Sequence, residues 1–248
     1  MKTFFSITIN TFNHSNWIEK CVRSCVEQDY PDFEVLVLDD ISTDGTFEIC
    51  KKIQLELGDR LKIFQNDKKI YSQLKNITTL TQMSKPNSVV VSVDGDDWLK
   101  DTQVLNKLEM VYRRGNVWMT YGRYEEYPGG IGGSGYRAYP PDVIKRNSFR
   151  EYDWLASHLK TYKRELFLKI DEEDFKLDNG DWLDVTGDQA FMLPMLEMSG
   201  HRSKFINETL YIYNVTNPTR DGAVKVNRQE EVANYIRGKK RYQRIESL

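Results

Sequence analysis

Residues Phe33–Thr46 read FEVLVLDDISTDGT. From Phe33 to Leu38 the run is almost wholly apolar, and it stops at two adjacent carboxylates, Asp39 and Asp40. A continuous run of this kind suits a strand buried on both faces, as in a parallel sheet, better than the alternation of a half-exposed strand. The turn residues Ser42-Thr43-Asp44-Gly45 then predict the start of a helix over Thr46–Leu57, capped by Asp44 or Thr43.

The pattern repeats on either side. Toward the N-terminus, Phe4–Phe12 reads as a strand and Asn16–Glu27 as a helix, with Trp17, Cys21, Val22, Cys25 and Val26 on its apolar face. Toward the C-terminus come a strand over Leu61–Gln65, a helix over Ser72–Met83 and a β-branched strand, Ser88–Val93, that runs into Asp94. A helix over Asp101–Arg114 and a strand over Val117–Tyr124 follow. This succession predicts an α/β fold: an open, mixed but mostly parallel sheet with helices on both faces. The second half is less regular. PGGIGGSG (Pro128–Gly135) reads as a loop, Trp154–Ile170 as a helix, and Asp171–Asp184 as an acidic, aromatic stretch without period. Asp188–Met198 reads as an apolar helix ended by Gly200, Phe205–Tyr213 as a strand, and Glu230–Arg244 as a helix with a basic end.

Composition bounds the possibilities. The 248 residues are 40% hydrophobic and 29% charged, and 35 Lys and Arg face 37 Asp and Glu for a net charge of −2. These values exclude wholesale disorder and nucleic-acid binding driven by bulk charge. The apolar runs fall far short of the ~20 residues that cross a bilayer, so no transmembrane segment is expected. The first residues lack the pattern of a signal peptide. Cys21, Cys25 and Cys50 read as small buried apolar residues, consistent with a cytoplasmic location.

The chemistry gathers at strand ends. In an open parallel sheet the ligand crevice lies outside the carboxyl ends of the strands. Asp39–Asp40 and Asp94-Gly95-Asp96-Asp97 therefore project into one crevice. Carboxylates so close together repel one another unless a cation neutralises them. A hard divalent ion with oxygen ligands, Mn²⁺ or Mg²⁺, answers that need and completes its shell with water and phosphate oxygens. The implied substrate is a diphosphate. The plainer alternative makes each cluster a polar turn in which one Asp caps the next helix.

TINTFNHSNWIEKCVRSCVEQDYPDFEVLVLDDISTDGT resembles the N-terminal signature of family 2 glycosyltransferases with the GT-A fold, and SVDGDDWL resembles that family's acidic metal motif. The match runs in order and spacing over residues 3–115. It implies a UDP-sugar donor, with Asn10, Thr11 and Asn13 lining the nucleotide pocket and Asp40 accepting a hydrogen bond from the pyrimidine ring. Lys75 falls where the family carries a basic residue near the nucleotide, though it also reads as a solvated helix lysine. The resemblance gives Asp94 and Asp96 to the ribose and the water shell of the ion. Asp97 is the first expectation for direct metal contact, followed by Asp96.

In the second half, VTGDQAFMLPML resembles the family segment that opens a helix with the general base, here Asp188. The family usually has Glu before that Asp, where this chain has Gly187. Asp188 also reads as a helix cap, and Asp178, Asp181 and Asp184 are rival carboxylates. His158, within SHLKTYKRELF, reads either as facing the acceptor or the donor diphosphate, or as structural. Trp154, Tyr162 and Trp182 read either as sugar-stacking surfaces or as core. Near the C-terminus the family's usual His is missing, and Arg220 reads either as a guanidinium for phosphate or, by default, as a solvated loop arginine. The expected organisation is a single GT-A domain. Residues 1–125 hold nucleotide-sugar and metal, 126–222 hold the acceptor, and 223–248 form a terminal helix. The glycine-rich loop and Pro218–Gly222 read as lids.

The function so implied is metal-dependent transfer of a sugar from a UDP-sugar to the hydroxyl of a glycan or other acceptor, with inversion. Alternatives are a nucleotidyltransferase, whose basic Gly-rich loop after the first strand is absent here, and a non-catalytic sugar-nucleotide or glycan-binding module. Lys239, Lys240, Arg241 and Arg244 allow weak peripheral contact with a membrane. An EF-hand is excluded because Lys51 stands where its loop needs Glu, and neither a dinucleotide-binding nor a P-loop glycine motif is present.

Overall fold

β1 (Phe5–Thr11) and β2 (Phe33–Asp39) are buried at every position, as strands in the middle of a covered sheet must be. They belong to a computed structural model that describes residues 2–114, 116–130, 132, 135–218 and 226–248. The other strands are β3 (Leu61–Gln65), β4 (Val89–Asp94), β5 (Trp98–Leu99), β6 (Met119–Tyr127), β7 (Ser157–Lys163) and β8 (Ser203–Asn214). The sheet order is β3-β2-β1-β4-β7-β6-β8-β5. β1, β2, β3 and β4 run parallel to their neighbours in that block, whereas β7 lies antiparallel between β4 and β6. β8 runs parallel to β6 and antiparallel to β5. The result is a mixed sheet.

Helices α1 (Ile18–Val26), α2 (Thr46–Leu57) and α3 (Gln73–Met83) connect the parallel block, and α4 (Val104–Arg114) leads from β5 to β6. Successive residues of β4 divide between two apolar layers, with Val89, Val91 and Val93 on one side and Val90 on the other. The first layer packs against α1 and α4, the second against α3 and α7 (Gly187–Ser199). Cys21, Cys25 and Cys50 are buried free thiols in the first layer. No helix among the described residues is long and apolar enough to cross a membrane.

Two expectations fail. Trp154–Ile170 is not a helix but β7 followed by the single turn α6 (Arg164–Phe167). The segment has good helix formers, but pairing on both edges overrides that local preference. Its polar side chains find partners inside: Thr161 Oγ1 lies 2.7 Å from Tyr112 Oη and 2.6 Å from Thr120 Oγ1. The terminal helix, α8, spans Val226–Gly238, so it starts earlier and ends sooner than Glu230–Arg244. Beyond Gly238 the chain turns back along α7. The Ile245 N–H donates to Met198 O at 3.1 Å and the Tyr242 N–H to Glu197 Oε2 at 3.0 Å. Lys239 and Arg244 bond to backbone carbonyls and Arg241 pairs with Glu151, so most of the basic cluster is engaged by the protein itself.

The register fixes the crevice. Thr11 of β1 lies opposite Asp39 of β2, and Asn10 lies opposite Asp94 of β4. Both acidic strand ends therefore open at the same sheet edge, flanking β1 at roughly 10 Å from each other by the spacing of adjacent strands.

Candidate active site

At the end of β2 the two aspartates divide their work. Asp39 is fully buried and accepts from the Ser42 N–H at 2.9 Å, the Ser42 hydroxyl and Gln65 Nε2 at 2.9 Å, so it shapes the turn into α2. Asp40 faces the loop before α3. Its Oδ1 accepts from Asn66 Nδ2 at 2.8 Å and the Ile70 N–H at 2.9 Å, and its Oδ2 from the Tyr71 N–H at 3.3 Å, with Lys69 Nζ at 3.1 Å. These donors fill the lone-pair sites of one carboxylate. Tyr71 stands at φ 61° and is largely exposed.

Asn10, Thr11 and Asn13 surround the end of β1. Asn10 Nδ2 donates to Asp94 Oδ1 at 3.3 Å, and Thr11 Oγ1 lies 3.2 Å from His14 Nδ1. Asn13, in the left-handed region, accepts from the Thr43 N–H at 2.9 Å and ties β1 to the turn after β2. Lys75 lies 3.9 Å from Glu172 and over the Trp182 ring, toward the acidic aromatic segment. The α3 residue that reaches the strand ends is Gln73, whose Nε2 donates to Asp94 Oδ1 at 2.7 Å. Sequence reading missed Gln73 and Lys69, because which face of a short helix or loop turns inward depends on its docking.

The Asp94–Asp97 turn is pressed against β1. A Cβ added to Gly95 would lie 2.6 Å from Thr11 Oγ1 and 2.8 Å from His14 Nδ1, so only glycine fits without displacement. Asp97 is buried and held by β8: Tyr211 Oη donates to its Oδ2 at 2.8 Å and the Asn214 N–H to its Oδ1 at 2.7 Å. Asp96 accepts from Asn217 Nδ2 at 2.7 Å. Asp94, Asp97 and His158 bring one ligand atom each to within 4.8 Å of one another, and Asp96 lies outside that group. The three β8-end partners had no signal in the sequence, being more than a hundred residues from the carboxylates they bind.

Electrostatics mark the same spot. Burial, reinforced by repulsion from Asp96 and Asp94, pushes the Asp97 carboxyl well above the usual range. Burial also raises Asp94, with Lys160 opposing the rise and Asp96 and Asp188 adding to it. Burial and then Lys160 hold His158 well below its ordinary value, so its imidazole is neutral, the form that ligates metal. His158 Nδ1 is buried without a hydrogen-bond partner, and the ring stacks on Tyr211 at 4.5 Å. An excess of buried negative charge beside a neutral imidazole fits a divalent cation.

Lys160 links His158 to Asp188, at the start of α7. Its Oδ1 accepts from the Gln189 N–H at 2.8 Å, and its Oδ2 lies 3.9 Å from Lys160 Nζ. It lines a cleft of about 380 Å³ with Trp154, Thr186, Gln189, Gln229 and Glu230. The absence of Glu before Asp188 has a steric reason: a Cβ on Gly187 would lie 3.0 Å from Leu74 Cβ. The rival carboxylates are occupied elsewhere, Asp178 by Tyr235, Asp181 by Asn179 and Asp184 by Arg228. Tyr162 is core, bonded to Thr81 and stacked on Phe167. Trp182 packs against Phe175 under Lys75. Arg220, and the expected lid over Pro218–Gly222 beyond residue 218, lie outside the described residues.

The glycosyl transferase family 2 model matches residues 6–170, two thirds of the chain. The chain belongs to the family 2 glycosyltransferases. Glycosyltransferase GlyA of Streptococcus pneumoniae is 26% identical over 223 residues, which cover 85% of this family 2 chain and 30% of GlyA. Among solved structures, Staphylococcus aureus TarS 1-349 in complex with UDP-GlcNAc matches with a TM-score of 0.69 at 19% identity, covering 94% of this chain and 65% of that one. The mannosyltransferase PcManGT of Pyrobaculum calidifontis, in complex with GDP-Man and Mn²⁺, matches with a TM-score of 0.62 at 19% identity, covering 98% and 66%. These likenesses establish the GT-A fold. The chain spans less than a third of the length of GlyA.

Proposed function

We propose that this family 2 chain transfers a sugar from a nucleoside-diphosphate sugar, UDP-linked as first choice, to an acceptor hydroxyl with inversion at the anomeric carbon. The observation that carries the reading is the convergence of Asp94, Asp97 and His158 with Asp188 on one crevice, joined through Lys160. The donor bound to the TarS neighbour and the nucleotide sugar and Mn²⁺ bound to PcManGT support the substrate class and the ion.

Asp97, Asp94 and His158 would hold the divalent ion, with Asp96 at the rim on its water shell. Two carboxylates and one imidazole suit Mn²⁺ better than Mg²⁺, which prefers oxygen alone. When bound, the ion supplies charge neutralisation for the departing diphosphate. Tyr211 and the Asn214 backbone fix Asp97, so it meets the ion without reorganising. Asp40, Asn10, Thr11 and Asn13 border the nucleotide side, with Lys75 farther out.

Asp188 acts as the general base. One oxygen is pinned by the Gln189 N–H, and the other, near Lys160, takes the proton of an acceptor hydroxyl as that oxygen attacks C1. Gln189 and Trp154 line the cleft beside Asp188, an amide and an indole of the kind that hydrogen-bonds and stacks on a sugar acceptor. In this reading residues 1–125 form the donor and metal half, 126–222 the acceptor half and 223–248 the terminal helical segment of one domain, with Val226, Gln229 and Glu230 of α8 lining the Asp188 cleft. The test is UDP release from a panel of UDP-sugars and glycan acceptors. Asp188→Asn should lower kcat by about 10²- to 10⁴-fold, the usual worth of a general base, while UDP affinity stays unchanged. An unchanged kcat would remove Asp188 from the chemistry.

A further inference from the structure

Lys160 sits on β7 opposite Ser92 of β4, two residues before Asp94. Its side chain is only 8% exposed, which is unusual for a lysine. An ammonium carries three N–H donors and pays heavily in lost hydration when buried. Among the described residues its Nζ has two partners, His158 Nε2 at 3.4 Å and Asp188 Oδ2 at 3.9 Å. Neither is a short contact. It is also the cation that opposes the crowding of negative charge on Asp94. Lys160 thus projects a buried, under-used positive charge into the gap between the carboxylates of the metal group and the general base.

That gap has a defined chemical meaning once the proposed function is accepted, and the inference rests on that reading. The acceptor oxygen approaches from Asp188, and the diphosphate lies against Asp94 and Asp97. The bond that breaks, between C1 and the β-phosphate oxygen, lies between them. As the acceptor oxygen bonds to C1, its proton passes to Asp188 and the electron pair of the C1–O bond moves onto the β-phosphate. We infer that Lys160 is a catalytic residue that donates a hydrogen bond to the β-phosphate of the donor and stabilises the charge arriving there.

The experiment compares wild type with Lys160→Met by calorimetry, titrating UDP and then UMP in the presence of Mn²⁺. A lost charge-assisted hydrogen bond should weaken UDP binding by roughly 10- to 100-fold. UMP, which has no β-phosphate, should lose less than about threefold, within the worth of a screened distant charge. Lys160→Arg should recover part of the UDP affinity, and it also serves if the Met variant does not fold. The same Met substitution in an Asp188→Asn background should still weaken UDP. Equal UDP affinity in wild type and Lys160→Met, or an effect that vanishes when Asp188 is neutral, would overturn the assignment. A wild type that binds none of UDP, GDP or dTDP would instead overturn the proposed function and the inference with it.

Discussion

The helix that presents Asp188 is anchored by one buried ion pair, and its removal should be costly. Every residue of α7 from Ala190 to Ser199 is buried, and Glu197 is the charged one. Arg150 Nε lies 2.6 Å from Glu197 Oε1 and Nη2 lies 3.0 Å from Oε2, with side chains 3% and 0% exposed. Arg150 Nη1 also donates to Ile236 O at 2.6 Å, and the Tyr242 N–H donates to Glu197, so the pair joins α7, α8 and the returning tail. Glu197→Gln removes the charge and leaves Arg150 buried and uncompensated. Breaking one side of such a pair costs about 3–5 kcal/mol. For a chain of this size each kcal/mol lowers Tm by roughly 2–4 °C, so the fall should be roughly 6–20 °C. Replacing both partners, Arg150→Met with Glu197→Leu, removes the charge and its desolvation together and should recover most of the loss. Differential scanning calorimetry of the single variants and the pair decides it. A Glu197→Gln variant within about 1 kcal/mol of wild type would mean the pair behaves like an exposed one, and the anchoring argument fails.

Two further outcomes follow from local geometry. Gly95→Ala should destabilise the chain by about 1–3 kcal/mol, as overpacking does, and weaken Mn²⁺-dependent nucleotide binding, because the new methyl displaces Thr11 and His14 from the acidic turn; thermal shift with and without UDP–Mn²⁺ measures both. Asp44 carries a pH signature: burial raises its carboxyl, but hydrogen bonds from Thr46 and Ser15 outweigh burial and bring it down to about 2. A carboxyl depressed in the folded state stabilises above its unfolded value and loses that contribution as pH falls toward 2, so the stability gap between wild type and Asp44→Ala should be present at neutral pH and close between about pH 4 and pH 2. Acid titration of both proteins by circular dichroism tests the sign.

The parallel block was legible because β1, β2 and β4 are buried, largely apolar runs, which leave little choice of element, and because paired acidic residues at their ends stand out. The register of Asn10 with Asp94 and of Thr11 with Asp39 then brings the two clusters to one edge. β7 was not legible. Its sequence, SHLKTYK, has no clean alternation and continues into RELF, so local preference reads helix, and only pairing with β4 and β6 makes it a strand. Because β7 was misread, the convergence of His158 and Lys160 on Asp94 and Asp188 was invisible. On a helix those two residues would point nearly opposite ways, whereas a strand sends residues two apart to one face. Lys75 illustrates a smaller gap: its position on α3 was read correctly, yet the α3 side chain that bonds to Asp94 is Gln73, two positions earlier.

The claim beneath the whole account is that Asp94, Asp97 and His158 recruit a divalent ion and, with it, a nucleoside diphosphate. Isothermal titration of UDP into the protein, with Mn²⁺ and then with EDTA, tests it most directly. Binding should need Mn²⁺ and be lost in Asp97→Asn. Binding of equal strength in EDTA, or undiminished binding by Asp97→Asn, would contradict it.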